Sequence, residues 1–416
     1  MPAPSAVPAV TDVLVVGAGP AGSAAAAWAA RGGADVLLAD AAVFPRDKAC
    51  GDGLTPRAVA ELDRLGLGDW VRGKARNRGL RAAGFGRVWE LPWPGGAFPD
   101  HGSAVPRTEL DARIRACALQ SGATPLEGAR AVDVERDGDR VRGVVFDVGG
   151  ERATVRCERL VVADGVRSPL GRLLGREWHR DTAYGVAARG YAVSGRSDDE
   201  WISSHLELRD AAGELLSGYG WVFPLGAAAG QVNIGVGTLA TARRPAGVQL
   251  KALLETYATA RREDWELSGP VQAPASALLP MGGAVSGVAG RNWALVGDAA
   301  GCVNPLNGEG IDYGLETGRT LAGMLEEADW SAAWPASLRG HYGEAFSIAR
   351  RLAGLLTLPR LLPAAGPVGM RSRLLMTVAL RVMGNLVTDA DRDAVARAWR
   401  LAGRVSRRLD ERPLFA

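Results

Sequence analysis

The residue types best suited to chemistry lie near the N-terminus, in a glycine-rich turn that follows the apolar residues 13–16. The turn reads Gly17-Ala18-Gly19-Pro20-Ala21-Gly22. Gly17 permits a tight turn, Gly19 allows a pyrophosphate to approach the backbone, and Gly22 allows the next helix to pack closely on the strand. A helix that begins near Pro20 directs free N–H groups and its positive end at an anion. The pattern predicts a nucleotide site; the plainer alternative is a βαβ turn without a ligand.

Two acidic residues at the ends of later apolar segments extend this prediction. A strand predicted over residues 34–39 ends at Asp40, whose carboxylate is suited to accept hydrogen bonds from ribose hydroxyls. Far downstream, the apolar residues 293–296 run into Gly297 and Asp298. An acid at the end of a strand also suits the hydroxyls of a polyol, such as the ribitol of FAD. A dinucleotide-binding lobe built from distant parts of the chain is therefore expected.

A third segment repeats the pattern of a strand followed by Asp-Gly. The apolar residues 160–163 precede Asp164 and Gly165, and a helix start follows at Pro169. The three blocks, in this order, resemble the FAD-dependent oxidoreductases of the hydroxybenzoate-hydroxylase fold over residues 12–325. The resemblance implies that FAD is the cofactor and that a second lobe is inserted into a discontinuous FAD lobe.

Four further segments narrow the resemblance. They are residues 44–54 (FPRDKACGDGL), 218–224 (GYGWVFP), 279–283 (LPMGG) and 304–310 (NPLNGEG). The first two resemble the geranylgeranyl reductase branch of these flavoproteins, whose members saturate isoprenoid double bonds. The last two resemble the menaquinone reductases of actinobacteria. The resemblance implies reduction of one double bond in the polyprenyl chain of menaquinone.

The resemblance also implies cofactor contacts at particular residues. Gly308 and Gly310 suit close approach of the backbone to a flavin ring, and Arg107 occupies a position at which related flavoproteins hold the FAD phosphates. Asp164 is expected mainly to cap a turn at the sheet edge. Related proteins often follow the ribose acid with arginine, whereas Ala41 stands here. The predicted cofactor-binding residues are Gly17, Gly19, Pro20, Ala21, Gly22, Asp40, Cys50, Gly51, Arg107, Asp164, Gly297, Asp298, Gly308, Gly310 and Ile311.

An alternating aromatic segment predicts the substrate pocket. On a strand, Tyr219, Trp221 and Phe223 share one face, with Gly220 and Val222 opposite. Three rings on one face of a sheet, beside a flavin, would hold a flat apolar chain. The alternative is that these rings only fill the core of the second lobe.

No motif identifies the proton donor of such a reductase, and Cys50 and Tyr219 are the two candidate catalytic residues. Cys50 lies in a glycine-rich turn after Lys48, where N–H groups and a cation would lower the pKa of a thiol. A lone cysteine is more often a small apolar residue without reactivity. Lys48 and Asp52, on the plainest interpretation, belong to a solvated turn.

Other functions fit the same fold. A flavin-dependent monooxygenase would act on a lipid or polyketide, and a non-catalytic carrier of prenyl lipids would keep FAD for structure. A halogenase is disfavoured because Tyr219 and Phe223 replace the first Trp and the Ile of the Trp-x-Trp-x-Ile-Pro pattern of that group. No second nucleotide-binding loop is evident, so the electron donor stays open among NADPH, a ferredoxin and a membrane carrier.

Composition and charge predict a reducing compartment and a membrane surface nearby. The four cysteines show no CxxC pairing and no metal-ligand spacing with the histidines, so neither disulfides nor a metal site are expected. No signal peptide is evident, and no apolar run reaches the roughly 18 residues of a spanning helix. A cytoplasmic protein, peripheral at the inner face of the cell membrane, is expected. Its partners would be a prenyl lipid or prenylated quinone and an electron donor, with no nucleic acid.

The expected membrane contact rests on the C-terminal region. Residues 331–416 carry 14 arginines against 6 acidic residues, and leucines cluster near residues 352–362. Arginines extend their charged heads to anionic lipid while their stems cover apolar surface. The competing interpretation is that these leucines pack the extension onto the FAD lobe. Pro359, Pro363 and Pro367 are expected to break the segment into short pieces.

The order of elements predicts an α/β fold: an FAD-binding, doubly wound, Rossmann-like lobe, an inserted and mostly antiparallel β-sheet substrate lobe, and a helical C-terminal extension. Segments over residues 131–156 predict a β-meander. The predicted domains are residues 10–75, 107–182 and 282–330 for FAD binding, residues 76–106 and 183–281 for the substrate, and residues 331–416 for the extension.

Overall fold

This computed structural model describes residues 7–416 of the chain, which form strands and helices up to residue 322 and only helices thereafter. The strands are β1 (Val10–Val16), β2 (Val36–Ala39), β3 (Gly53–Leu54), β4 (Ala75–Asn77), β5 (Gly79–Gly84), β6 (Arg87–Pro92), β7 (Gly102–Ala104), β8 (Thr124–Leu126), β9 (Ala129–Asp137), β10 (Arg140–Val148), β11 (Glu151–Val162), β12 (Glu177–Trp178), β13 (Tyr184–Ser194), β14 (Trp201–His205), β15 (Gly218–Pro224), β16 (Gln231–Ala240), β17 (Leu267–Leu279), β18 (Val285–Ser286) and β19 (Trp293–Leu295). The helices are α1 (Pro20–Arg31), α2 (Pro56–Arg64), α3 (Gly68–Arg72), α4 (Arg107–Gln120), α5 (Pro169–Leu173), α6 (Leu250–Ala260), α7 (Ile311–Ala322), α8 (Trp330–Leu356), α9 (Leu361–Gly369), α10 (Arg373–Met383) and α11 (Ala394–Arg408).

The first sheet is the predicted nucleotide-binding layer. Its strand order is β8-β2-β1-β11-β10-β9, with β19 beside β11. β1 pairs in parallel with β2 and β11, and β11 pairs in parallel with β19, so the carboxyl ends of these four strands meet at one edge. Every residue of β2 and β19 is buried, as expected for parallel strands covered on both faces. The predicted meander is present, but its last segment continues without a break into the strand predicted at residues 160–163.

Helices α1 and α7 cross at very short distance beside this edge. A Cβ atom at Gly318 would lie 2.4 Å from the carbonyl oxygen of Ala21, and one at Gly314 would lie 3.5 Å from the Ala21 side chain. Small residues are therefore required where the two helices cross. The first turns of α1 and α7 consequently lie side by side at the carboxyl ends of the parallel strands.

The second sheet is the predicted antiparallel lobe. Its order is β17-β13-β16-β15-β14-β5-β6, and each neighbouring pair is antiparallel except β14 with β5. Helix α6 covers one face, where Val222 and Tyr257 are buried. The opposite face is turned toward the first sheet and borders the site described below.

The C-terminal helices differ from the prediction in where they break. Pro359 separates α8 from α9, but Pro363 and Pro367 lie inside α9. Pro363 is tolerated because the first-turn N–H groups of a helix have no partner within the helix. The indole N–H of Trp89 in β6 donates to the carbonyl oxygen of Met370 at 2.8 Å, which ties this region to the second sheet.

The α/β class with an inserted antiparallel sheet and a helical C-terminal region is confirmed. The domain boundaries stay a prediction. Within residues 7–416, no helix is both long and apolar enough to cross a bilayer.

Candidate active site

A continuous cavity of about 830 Å³ lies between the two sheets and the C-terminal helices. It begins at Gly17 and Asp40, passes Cys50, and reaches Leu362 in α9 and Met376 in α10. A volume of this size is typical of sites for organic ligands. The cavity therefore connects the predicted nucleotide turn with the predicted substrate lobe.

The glycine turn after β1 offers only backbone to the cavity. Gly17 has φ +106°, and a Cβ atom there would lie 2.3 Å from the carbonyl oxygen of Ala163. A Cβ at Gly22 would lie 1.8 Å from the carbonyl oxygen of Gly17. At Gly19, the N-cap of α1, a Cβ would approach only the Arg46 guanidinium, at 3.3 Å. The turn thus packs tightly against protein backbone at Gly17 and Gly22, and at Gly19 it leaves space on the cavity side.

Asp40 stands at the same end of the cavity with its orientation fixed. Its carboxylate accepts the backbone N–H of Ala18 at 2.7 Å and that of Ala42 at 2.8 Å. A carboxylate has about four acceptor positions, so sites remain for ligand hydroxyls. The backbone N–H of Ala129 donates to the Asp40 carbonyl at 2.9 Å, which brings the exposed Arg130 to this end of the cavity. Arg130 thus supplies an arginine near the position where Ala41 departs from the family pattern.

Asp298 lies where α1 and α7 meet. It is the second residue of the short 3₁₀ turn Gly297–Ala300 after β19, and it lines the cavity. Within residues 7–416 its carboxylate forms no side-chain hydrogen bond or ion pair. A Cβ at Gly310 would lie 3.0 Å from its Oδ1 atom, and Gly308 has φ +77°. The loop before Ile311, the first residue of α7, therefore approaches Asp298 by its backbone.

Arg107 does not point freely at a ligand. Its Nε and Nη2 atoms each donate to Asp111 at 2.7 Å, and Arg46 contacts the same carboxylate at 2.8 Å. Its predicted contact with a phosphate stays a prediction.

Arg46 and Lys48 both line the cavity and were not assigned from the sequence, although both stand in the 44–54 motif. Burial lowers the pKa of Lys48, while the nearby Asp298 opposes that effect.

Asp164 serves the local turn that was predicted for it. Its carboxylate accepts the hydroxyl of Ser168 at 2.5 Å and the backbone N–H of Leu170 at 2.8 Å, which caps the start of α5. Burial raises its pKa. It also borders the cavity, so a direct contact with the cofactor stays a prediction.

Asp52 is not on a solvated turn, and that interpretation is wrong. The residue is fully buried, has φ 61°, and accepts hydrogen bonds from the Tyr191 hydroxyl at 2.8 Å, the Asn233 amide at 2.9 Å and the Arg107 backbone N–H at 3.2 Å. Burial raises the pKa of Asp52 to about 6, against these hydrogen bonds. The carboxylate joins the loop after β2 to two strands of the second sheet.

Cys50 is held by the same network. The Asn233 amide donates to the Cys50 carbonyl oxygen at 2.9 Å, and the Asp52 N–H approaches Sγ at 3.4 Å. Burial raises the pKa of the thiol, although the nearby Arg107 lowers it. The expected lowering of this pKa is therefore wrong, because burial outweighs the cation. A catalytic role for Cys50 stays a prediction.

The aromatic segment lies along the cavity. Tyr219, Trp221 and Phe223 all line it, with ring centroids 6.0 and 6.2 Å apart along the row. The Trp221 indole N–H donates to Asn233 at 2.9 Å. A Cβ at Gly51 would lie 3.2 Å from the Phe223 ring, so this predicted cofactor residue packs against the aromatic row. Substrate binding by the rings stays a prediction.

Two acids near the start of α7 were missed by the sequence reasoning. Glu309 lines the cavity, and its Oε1 atom is buried without a hydrogen-bond partner among the described residues. Burial and the neighbouring Asp312 hold the pKa of Glu309 well above its usual value. Burial raises the pKa of Asp312 to about 6, opposed by Arg57. The signal in the sequence was an acid between two glycines of the 304–310 motif.

Comparison with known proteins identifies the family. The FAD binding domain model matches residues 10–203. The menaquinone reductase of Mycolicibacterium smegmatis is 63% identical over 409 residues, covering 97% of this chain and 99% of that protein. This chain belongs to the menaquinone reductase family. It is an FAD-dependent oxidoreductase.

Two more distant proteins are similar to this chain, one in sequence and one in fold. Digeranylgeranylglycerophospholipid reductase 1 of Methanopyrus kandleri is 32% identical over 356 residues, covering 83% of this chain and 90% of that protein. The crystal structure of a geranylgeranyl bacteriochlorophyll reductase-like protein from Thermoplasma acidophilum has a TM-score of 0.74 at 21% identity, covering 94% of this chain and 98% of that chain. At that identity the structural likeness shows the fold alone.

The residues of this menaquinone reductase family member fit FAD. The closed glycine cradle at Gly17 and Gly22 leaves backbone N–H groups for a pyrophosphate, with the cations Arg46 and Lys48 beside it. Asp298 keeps unused acceptor positions, which suits polyol hydroxyls. The individual contacts stay predictions.

Proposed function

We propose that this protein saturates an isoprenoid carbon–carbon double bond in the polyprenyl chain of menaquinone. The observation that carries the proposal is the continuous cavity, which joins a nucleotide cradle at Gly17 to an aromatic and aliphatic passage ending at Met376. An FAD-dependent reduction of a long apolar chain needs both parts in one enclosed space. Two relatives that match most of the chain, both named reductases, favour saturation over the monooxygenase and halogenase alternatives.

In this proposal FAD, once reduced, supplies the hydride, and the protein supplies orientation and exclusion of water. Tyr219, Trp221 and Phe223 hold the chain along β15. The Tyr219 hydroxyl donates to the Asn307 carbonyl, which fixes the aromatic row relative to the loop before α7. The buried Asp52 network holds the 47–53 loop against the second sheet, so the walls of the cavity are rigid before substrate arrives.

Single-turnover reduction tests the proposal. The bound FAD is photoreduced without oxygen and mixed with menaquinone, and the lipid is analysed by mass spectrometry. We expect reoxidation of the flavin and a product heavier by two hydrogens. A product that forms only with oxygen and contains an added oxygen atom would instead identify a monooxygenase. Unreduced enzyme serves as the control, and it is expected to give no product.

We also propose that the protein is cytoplasmic and binds the inner face of the cell membrane through α9 and α10. Residues 345–388 contain six arginines and no acidic residue. Val368, Leu374 and Leu375 are 59, 73 and 52% exposed on these helices, whose inner faces line the cavity. Such a face suits an anionic lipid surface, from which a prenyl chain has a short path to the cavity. The electron donor stays open among NADPH, a ferredoxin and a membrane carrier.

A further inference from the structure

Saturation of a double bond needs a proton for the carbon that does not receive the hydride. Cys50 and Tyr219, the two candidates from the sequence, are poor donors of this proton. Burial raises the pKa of both Cys50 and Tyr219 above their usual values. Both groups hold their protons firmly, whereas an unactivated alkene is a very weak base. A carboxylic acid kept neutral in the cavity is a stronger acid than a buried thiol or phenol.

Glu309 is placed as such an acid. Glu309 lines the cavity, and its Oε1 atom is buried without a hydrogen-bond partner among residues 7–416. It stands between Gly308 and Gly310, which allow the backbone to approach a ligand. Tyr219 of β15 and Asp312 and Tyr313 of α7 are the titratable groups near it, and Arg57 of α2 faces Asp312. No cation contacts Glu309 within the described chain, so burial and the charge of Asp312, which favour its neutral form, outweigh the backbone hydrogen bond at Asp312 that favours its charged form.

The loop that carries Glu309 is rigid. The Glu309 N–H donates to the Asn307 side chain at 2.9 Å, and its carbonyl accepts the Asn304 N–H at 2.8 Å. The amides of Asn304 and Asn307 both donate to the carbonyl oxygen of Met383, at 2.9 and 2.7 Å. A fixed loop of this kind positions an acid to within the tolerance that proton transfer requires.

We propose that Glu309 is the catalytic acid that protonates the alkene. The inference rests on the proposed function. The O–H bond of Glu309 breaks as a C–H bond forms at one alkene carbon, and the other carbon receives the hydride. The resulting Glu309 carboxylate regains its proton from water. Arg57 and Asn385 stabilise the anion of Asp312, and the charge of this anion favours the protonated form of Glu309 before the reaction.

Three isosteric variants separate the candidates: Glu309→Gln, Tyr219→Phe and Cys50→Ser. Each is loaded with FAD, photoreduced and mixed with menaquinone in a single turnover. We expect Glu309→Gln to slow reoxidation by about 10²–10⁴-fold, the usual contribution of a general acid. We expect Tyr219→Phe and Cys50→Ser to stay within roughly tenfold of the wild type. The exposed control Glu326→Gln is expected to leave the rate unchanged. A Glu309→Gln rate within about threefold of the wild type overturns the proposal.

Two further readouts do not depend on the size of the rate change in a single variant. The wild-type rate is expected to fall as pH rises through the pKa of Glu309, and this limb should be absent from Glu309→Gln. Infrared spectra of the oxidised holoenzyme should contain the carbonyl stretch of a protonated carboxylic acid that Glu309→Gln lacks and Glu309→Asp retains. A wild type without this band overturns the proposal. A wild type that keeps the band but reduces no prenyl substrate instead refutes the proposed function.

Discussion

Asp298 borders the cavity, and its carboxylate accepts no hydrogen bond from a side chain or backbone group among residues 7–416. Asp40, Asp52 and Asp164 are each satisfied by at least two hydrogen bonds from backbone or side chains. Free acceptor positions on a carboxylate that borders a cavity are suited to a ligand that brings hydroxyl donors. Substitution of Asp298 should therefore weaken cofactor binding without breaking side-chain hydrogen bonds within the described part of the protein.

We expect Asp298→Ala to weaken FAD binding by about 1–3 kcal/mol, because the ribitol hydroxyls would lose a charged acceptor. Titration of the apoprotein with FAD, followed by quenching of flavin fluorescence, measures the change. Asp139→Ala, on the exposed β9–β10 turn, is the matched control and should bind FAD as the wild type does. Unchanged affinity in Asp298→Ala would remove this residue from the cofactor site.

Asp52 predicts a specific dependence of stability on pH. Its folded-state pKa of about 6 lies above the ordinary value of 3.8, so the folded state binds the proton more tightly. The contribution of Asp52 is therefore most favourable below about pH 4 and declines as pH rises to about 6, by roughly 3 kcal/mol in total. Asp52→Asn cannot titrate and should lack this decline.

Urea unfolding of both proteins at a series of pH values tests this expectation. The free energy of unfolding of the wild type, minus that of Asp52→Asn, should fall between pH 4 and 7. The subtraction removes the effect of other titrating groups. A difference that is constant, or that rises, across this interval would contradict the assigned pKa.

At the scale of residues, the sequence identified those whose function depends on backbone shape. Gly17 and Gly22 were predictable because only glycine allows the approaches found there. Asp52 was not, because its partners Tyr191 and Asn233 are more than a hundred residues away. The burial that reverses the expected pKa shift of Cys50 likewise arises only from the assembled fold.

At the scale of elements, β15 presents two different faces. Gly220 and Val222 pack on α6, where a Cβ at Gly220 would lie 2.2 Å from the Tyr257 ring. The aromatic side chains are on the opposite face of β15. There the Trp221 indole covers Gly235 of the neighbouring strand β16. One face thus stabilises the sheet, and the other is free to contact a ligand.

We expect Trp221→Ala to keep its FAD but to reduce long-chain menaquinone at least about tenfold more slowly, because a buried aromatic wall of the passage is lost. Trp221→Phe, which retains a ring, should recover most of the rate. Flavin absorbance per protein and single-turnover reoxidation are the two measurements. Loss of flavin or unfolding in Trp221→Ala would mean that the ring only fills the core.

Elements with a strong local pattern were predictable, and those set by packing were not. The strands at β2 and β19 and helix α1 follow from apolar runs and glycine positions. Helix α9 was predicted to break at Pro363 and Pro367 but continues through both. Its contact with the β5–β6 hairpin, where Phe85 lies against Gly366, stabilises a segment that local preference disfavours.

At the scale of the whole molecule, charge and apolar exposure coincide on one side. Arg360, Arg371 and Arg373 are exposed and form no ion pair with residues 7–416. Leu374 and Leu375, which follow Arg373 directly in the chain, are exposed as well. Each such cation contributes about 1 kcal/mol at an anionic lipid surface, so the affinity should depend on lipid charge and on salt.

We expect the holoenzyme to float with anionic liposomes and much less with neutral ones. The double variant Leu374→Glu, Leu375→Glu should stay at the bottom of the gradient while keeping its FAD. Leu409→Glu, an exposed leucine after α11, is the matched control and should float as the wild type does. Equal and negligible flotation of the wild type with both lipids would mean that these leucines serve another purpose.

The carbonyl oxygen of Met383 connects the proposed lipid-binding helix α10 with the loop before α7. It closes α10, an 11-residue helix about 16 Å long, whose first turn carries Leu374 and Leu375. It also accepts the amides of Asn304 and Asn307 from the loop before α7. A displacement of this helix would therefore act on the two hydrogen bonds that hold the loop of Gly308 and Gly310, the residues predicted to contact the flavin. Coupling between two equilibria is reciprocal. If lipid binding shifts the reduction potential of the flavin, then the oxidised and reduced proteins must bind lipid with different affinities. Potentiometry with and without anionic liposomes should reveal the shift, and Asn307→Ala should diminish it.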